Sequence, residues 1–174
     1  SAEGSGIIDI NNENHKTVTL TKADAHVSAA VNAVNNDVAI VSVKAPDVSV
    51  KVTDGSIING AEDESIENIT AGRVDLEAGK TGEDTGDIGE KNKPIVIRPV
   101  PVLGGNDTVA ASADGNVYLT LLKPEGADPE AAAIAKVDID AGGEAVLNTE
   151  GSTILTDASD IKAAGDITIN TEES

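Results

Sequence analysis

GSIINGAEDESIENITAGRVDL, residues 55–76, and GSTILTDASDIKAAGDITI, residues 151–169, run through the same features in the same order. Each has Gly-Ser, a short Ile-containing strand, an acidic turn, a second Ile-containing strand, Ala-Gly and an alternating strand. Aligned this way, Gly55 corresponds to Gly151, Gly72 to Gly165, and Val74 with Leu76 to Ile167 with Ile169. The copies differ in length, as do coils whose turns tolerate insertion. Short strands punctuated by Gly and Asx, without hairpin dipeptides at a constant two-residue spacing, predict an all-β chain wound as a parallel β-helix. In that architecture coils of roughly twenty residues stack on one another. A β-sandwich of about seven strands is the alternative that the strand count also fits.

Composition points the same way. The chain has 174 residues, of which 39% are hydrophobic, yet it holds one Tyr and no Phe, Trp, Met or Cys. Irregular cores normally use aromatic rings to fill volume. Stacked layers need small branched side chains instead, and a ring would break them. The length suits one domain, so residues 1–174 are read as a single β-helical segment, with about 1–36 less regular.

Strand-like runs recur from IIDI at 7–10 and TVTL at 17–20 through VAIVSV at 38–43, VSVKV at 48–52 and RVDLEA at 73–78. They continue with PIVIRPV at 94–100, DTVAAS at 107–112, NVYLTL at 116–121, KVDID at 136–140, AVLN at 145–148 and DITIN at 166–170. The alternation points Val137 and Ile139 inward with Asp138 and Asp140 outward, and Ile167 and Ile169 inward with Thr168 and Asn170 outward. Two segments have helix-compatible patterns. In 22–36, Ala25, Ala29 and Ala33 or Val27, Val31 and Val34 recur at helical spacing, although HVSAAV also reads as a strand. In 128–135, Asp128 precedes Pro129 at a first helical position.

Four of these motifs, ITAGRVDLEAG at 69–79, DIGEKNKPIVI at 87–97, ADGNVYLTL at 113–121 and AAGDITIN at 163–170, resemble the coil sequences of large secreted bacterial exoproteins of the filamentous haemagglutinin type. Ile88, Gly89, Pro94 and Ile95 occupy that family's pattern of a strand, Ile-Gly, a polar stretch, Pro and another strand. The resemblance covers roughly residues 37–174. It implies a right-handed parallel β-helix within a cell-surface fibre, exported across the outer membrane by a partner transporter and serving adhesion, haemagglutination or delivery of a toxic tip. The chain starts at Ser1 with no basic-then-apolar leader and lacks that family's amino-terminal secretion region, so it is read as an internal or carboxy-terminal piece.

Charge narrows the partners. With 31 acidic and 12 basic residues, a formal charge of −19 repels phosphate polymers, and neither clustered cations nor stacking aromatics are present for nucleic acid. No run of about eighteen apolar residues and no basic amphipathic helix marks a membrane-inserting segment. The expected partners are a host-cell surface, a glycan, or neighbouring segments of the same fibre. The absence of Cys excludes disulfides and thiolate metal sites.

Candidate chemistry is weighed against simpler readings. Some parallel β-helices cleave polysaccharides, so Asp138 with Asp140 and Asp75 with Glu77, each i and i+2 on one strand face, are the candidate carboxylate pairs. Among 31 acidic residues such pairs arise by chance on a solvated face, and Tyr118 is the lone aromatic platform. His15 and His26 lack a third ligand or nucleophile nearby and read as surface residues. Gly79, Lys80 and Thr81 end like a phosphate loop, but Val74 stands where its first Gly belongs. Gly4 and Gly6 fail the dinucleotide pattern because Asp9 replaces its third Gly.

Calcium is the one ion considered, at the acidic stretches 62–67 and 83–90 with Asp84 and Asp87, where it would be structural; no cofactor is implied. Asn68-Ile69-Thr70 and Asn106-Asp107-Thr108 match the N-glycosylation acceptor pattern. Loops at 59–68, 80–93 and 123–134, the last with Pro124, Gly126, Asp128 and Pro129, are where binding specificity would lie. The expectation is a non-enzymatic stalk or host-contact segment of a secreted or surface exoprotein. Its alternatives are a polysaccharide-binding or polysaccharide-cleaving β-helix and the scaffold part of a secreted toxin.

Overall fold

The computed structural model describes residues 2–3, 6–11, 16–63, 66–79, 85–100, 108–124, 136–150 and 159–172, with side chains from residue 16 onward. Eighteen strands follow one another along them, and no helix occurs among the described residues. In chain order the first six are β1 (Ala2–Glu3), β2 (Gly6–Asn11), β3 (Val18–Leu20), β4 (Ala23–Asp24), β5 (Ser28–Val34) and β6 (Val38–Ile40). Next come β7 (Val43–Lys44), β8 (Asp47–Thr53), β9 (Ile57–Asn59), β10 (Ile69–Ala71), β11 (Arg73–Ala78) and β12 (Ile95–Pro99). The last are β13 (Thr108–Ala113), β14 (Val117–Leu121), β15 (Lys136–Ala141), β16 (Ala145–Glu150), β17 (Asp160–Ala163) and β18 (Ile167–Glu172).

Three sheets sort these strands by position within each repeat. An eight-stranded sheet runs β1-β4-β7-β10-β12-β14-β16-β18, a seven-stranded sheet runs β17-β15-β13-β11-β8-β5-β2, and a three-stranded sheet runs β3-β6-β9. All fifteen named strand pairs are parallel; an immunoglobulin-like sandwich pairs its strands antiparallel. Segment 28–34 is strand β5, with Ala29, Val31 and Ala33 buried in alternation. Its helix-compatible spacing loses because these three residues complete columns begun on neighbouring strands. Segment 128–135 lies outside the described residues.

Register explains the composition. Ala29, Val48, Val74, Val109 and Val137 stack as one column of the seven-stranded sheet, and Val31, Val50, Leu76, Ala111 and Ile139 as the next. In the eight-stranded sheet Val43, Ile69, Ile97 and Leu121 form a third column. Every one of these side chains is buried, Val50, Leu76, Ile69 and Ile97 at 0% exposure. Together with Leu20, Val38 and Ile57 from the third sheet they make one continuous cluster. Each fully buried Val, Leu or Ile contributes about 1.5–3 kcal/mol of transfer free energy. Columns repeat at about 4.8 Å, a spacing that aliphatic side chains fill without gaps. The third sheet continues past β9 only as single-residue bridges, Ile57 to Ile88 and Ile88 to Val117.

The corners that lead from the seven-stranded sheet to the third sheet and its Ile88 and Val117 bridges are held by side chains as well as backbone. Ser56 N–H donates to Asp37 Oδ1 (2.9 Å), Asp87 N–H to Ser56 Oγ (3.0 Å), Asn116 N–H to Asp87 Oδ1 (2.5 Å) and Glu144 N–H to Asn116 Oδ1 (2.8 Å). Each corner residue therefore accepts from the next layer, which is why Asp, Ser and Asn recur there. The same corners need close backbone approach, and a Cβ on Gly142 would lie 2.0 Å from the Asp114 carbonyl oxygen.

The repeat alignment read from sequence does not survive in space. Val74 and Leu76 belong to β11 in the seven-stranded sheet, whereas Ile167 and Ile169 belong to β18 in the eight-stranded sheet, in register with Ala145 and Leu147. Ala-Gly precedes both strands because both follow a tight corner, but the corners are different ones. Gly151 lies outside the described residues. Ile167 and Ile169 share the columns of buried residues yet are 49% and 47% exposed, because β18 is the last strand of its sheet.

Candidate functional site

Alternation along β5, β8, β11, β13, β15 and β17 turns every second residue away from the core, and parallel register lines these residues up into outward columns. One column reads Ser49, Asp75, Ala110, Asp138, Asp160, and its neighbour Lys51, Glu77, Ser112, Asp140, Lys162. Ala110 and Ser112 are short side chains between longer ones, so the face dips over β13. The resulting open groove of about 400 Å³ is bordered by Asp75, Lys136, Asp138, Asp140, Asp160 and Lys162.

Cations neutralise much of this face. Lys51 Nζ lies 3.0 Å from Glu77 Oε2 and Arg73 Nη1 3.8 Å from Asp47 Oδ1, while Lys136 pairs with Asp138 and Lys162 with Asp160. The Glu77 hydrogen bond and charge, with Asp75 behind them, raise the pKa of Lys51; Asp160 does the same for Lys162, with smaller help from Asp140 and Asp138. Both lysines are thus held in the charged form. The arrangement offers carboxylates, ammonium groups and hydroxyls along an open, shallowly grooved strand surface, a pattern suited to hydrogen bonding a polyhydroxyl or charged polymer.

Both candidate carboxylate pairs, Asp138 with Asp140 and Asp75 with Glu77, lie on this face as their alternation predicts, and Val137 and Ile139 are buried behind them. Asp138 and Glu77 are engaged by lysines. Tyr118 is on the eight-stranded sheet, 8% exposed, and its hydroxyl donates to Glu144 Oε2 (3.0 Å). Burial first, then that hydrogen bond, raises the pKa of the phenol, and Lys91, 3.2 Å from Glu144, draws the Glu144 carboxyl below its usual range with help from Tyr118. Tyr118 is therefore a core-edge brace and offers no stacking platform.

His26 is exposed beside a second, apolar groove of about 560 Å³ bordered by Ala25, Ala45, Pro46, Gly72 and Val100. His15, Gly4, Lys80, Thr81, Asp84 and Asn106 lie outside the described residues. Val74 is buried in β11 and Gly79 ends that strand at φ 68°. Of the acidic stretches considered for calcium, Asp87 spends its carboxylate on the Asn116 corner and Glu67 pairs with Arg98 at 2.6 Å. Among the described residues no group of three or more His, Asp and Glu is placed to hold a metal ion. Residues 125–134 of the third predicted loop are outside the described residues.

Sequence reasoning missed the role of Asn68. Its side chain is 0% exposed: Nδ2 donates to Ile40 O (2.8 Å) and Asn59 Oδ1 (2.8 Å), and Oδ1 accepts from Val96 N–H (2.8 Å). A glycan cannot be attached to this amide in the folded chain, so the Asn68 acceptor pattern is structural. Asn59 completes the unit, donating to Pro94 O and accepting from Ala61 N–H. The signal in the sequence was two Asn residues among Ile and Gly, too sparse to show that they meet. Compared with protein-family models, curated proteins and solved structures, the chain matches none.

Proposed function

We propose that this chain is a non-enzymatic structural and adhesive segment of a large secreted or surface-exposed bacterial exoprotein of the filamentous haemagglutinin type. On this reading its parallel strands wind as a right-handed β-helix, and the outer face of the seven-stranded sheet meets a host-cell surface or glycan. The observation that carries the reading is the parallel register running unbroken from β2 to β17, which makes a repeating surface about 30 Å long at strand spacing. An extended ladder of carboxylates, lysines and hydroxyls suits a repetitive, multivalent partner, where many weak contacts add.

The test is binding of the purified protein to a panel of host glycans and to cultured cells. Retention that falls several-fold in Asp75→Asn/Asp138→Asn/Asp140→Asn, with the melting temperature unchanged, supports the contact face. Unchanged retention refutes it, and release of reducing ends from a polysaccharide would move the chain to the polysaccharide-cleaving class.

A further inference from the structure

Asn59 and Gly60 form the one Asn-Gly pair among the thirteen asparagines of the chain. In an open polypeptide this dipeptide loses its side-chain amide most readily, because glycine has no Cβ to keep its nitrogen away from the preceding side chain. The Gly60 nitrogen attacks Asn59 Cγ, the Cγ–Nδ2 bond breaks, and the amide nitrogen leaves as ammonia. Water then opens the resulting five-membered imide at either carbonyl, leaving aspartate or isoaspartate. One water enters and one ammonia departs, and no other reactant is needed.

The folded chain blocks every part of that reaction. The nucleophile is tied, since Gly60 N–H donates to Ile40 O at 2.8 Å. The leaving group is tied as well, because Asn59 Nδ2 donates to Pro94 O (2.8 Å) while Oδ1 accepts from Ala61 N–H (2.9 Å) and Asn68 Nδ2 (2.8 Å). The amide plane therefore cannot turn toward the Gly60 nitrogen. Asn59 ends strand β9 and is 4% exposed, which keeps out the water that would open the ring. Packing dictates both members of the pair. The position needs a side chain that donates and accepts at once, and a Cβ on Gly60 would lie 3.1 Å from Ala39 Cβ and 3.2 Å from Val41 Cγ2.

We propose that Asn59 is a deamidation site held shut by the fold, reactive only while the β9 layer is open, and that the product keeps the layer from closing again. An aspartate at this position sets a carboxylate oxygen against Pro94 O, two buried acceptors with no proton between them. An isoaspartate lengthens the main chain by one carbon just where Gly60 N–H must reach Ile40 O. Reaction at this amide is thus a one-way record of opening, and it holds whatever the outer face of the molecule contacts.

The test incubates the full chain in mildly alkaline buffer with and without urea and follows the tryptic peptide 52–73, which carries both Asn59 and Asn68, by fragment mass spectrometry. Conversion at Asn59 should be about a hundredfold slower in the native chain than in urea, or slower still, because only the open fraction reacts. Asn68→Leu, which removes a donor to Asn59 Oδ1, should speed the native reaction about tenfold or more, and Lys51→Met should leave it at the parent's rate. When urea is diluted out of a half-converted sample and the compact fraction is separated by size exclusion, aspartate and isoaspartate at position 59 should collect in the fraction that has not refolded. Equal rates with and without urea, equal conversion at Asn59 and Asn68 in urea, or the same proportion of converted chain in both fractions would each overturn the proposal.

Discussion

Replacing Asn68 by Leu keeps the number and branching of the side-chain heavy atoms and removes the polar ones, so the cost can be worked bond by bond. Ile40 O and Asn59 Oδ1 each lose one partner but keep another, the N–H groups of Gly60 and Ala61 respectively. Val96 N–H is different, since Asn68 Oδ1 is its acceptor at 2.8 Å in a fully buried setting. An orphaned buried N–H costs about 1–3 kcal/mol, and each of the two weakened acceptors about 0.5–1 kcal/mol. The added methyl surface offsets part of this, leaving a net loss of about 2–4 kcal/mol. For a chain of this length that lowers the melting temperature by roughly 5–15 °C, read by far-UV circular dichroism. Asn68→Asp gives a second signature. Its carboxylate would face Ile40 O and Asn59 Oδ1, so the folded state favours the protonated form; the penalty is small below the unfolded pKa of about 3.9 and deepens as pH rises above it. A melting temperature for Asn68→Leu within about 2 °C of the parent would refute the reasoning.

Other expectations follow from the same geometry. Tyr118 is the one tyrosine in a chain without tryptophan, so its phenolate absorbance titrates a single group. The midpoint should lie above the ordinary value of about 10 in the folded chain, return to it in denaturant, and move down in Glu144→Gln. The stabilisation linked to that raised pKa is complete below about pH 10 and is lost as pH rises through the folded midpoint. Leu76→Ala, at the centre of its column, should cost about 2–5 kcal/mol in denaturant titration, while Ile169→Ala at the edge should cost less than about 1 kcal/mol. Gly142→Ala drives a Cβ to 2.0 Å from Asp114 O and should destabilise by more than about 1 kcal/mol. Lys51→Met removes a half-exposed ion pair, and its effect on stability should stay below about 1 kcal/mol and shrink further in high salt.

Alternation was the most legible part of the sequence. RVDLEA at 73–78 coincides with β11, and KVDID with all but the last residue of β15, because a strand with one buried face writes its period directly into residue types. Segment 22–36 was ambiguous for a physical reason: Ala and Val at short intervals satisfy both periods, and neighbouring columns decided for β5. The repeat alignment failed because Ala-Gly at a corner looks alike wherever it falls, and sequence carries no mark of which sheet follows. The outward columns holding Asp75, Asp138 and Asp140 were foreseeable strand by strand. That Ala110 lies between Asp75 and Asp138, opening a groove, depends on register across residues far apart in the chain. Asn68 was legible only as an acceptor pattern, since its three partners come from strands and turns distant in sequence.

The third sheet narrows after β9 to single bridges through Ile88 and Val117. There the layers are joined by one residue, and the chain makes its excursion from Gly89 through a turn closed by Glu90 and Lys93. Gly89 takes φ 71°, and Lys91 reaches across to Glu144. A scaffold with two rigid walls and one permissive seam can accept new sequence along the seam without disturbing the columns on the walls. That seam is where such a chain can diversify most freely, acquiring loops of different length and chemistry while the stacked aliphatic interior goes on specifying the same architecture.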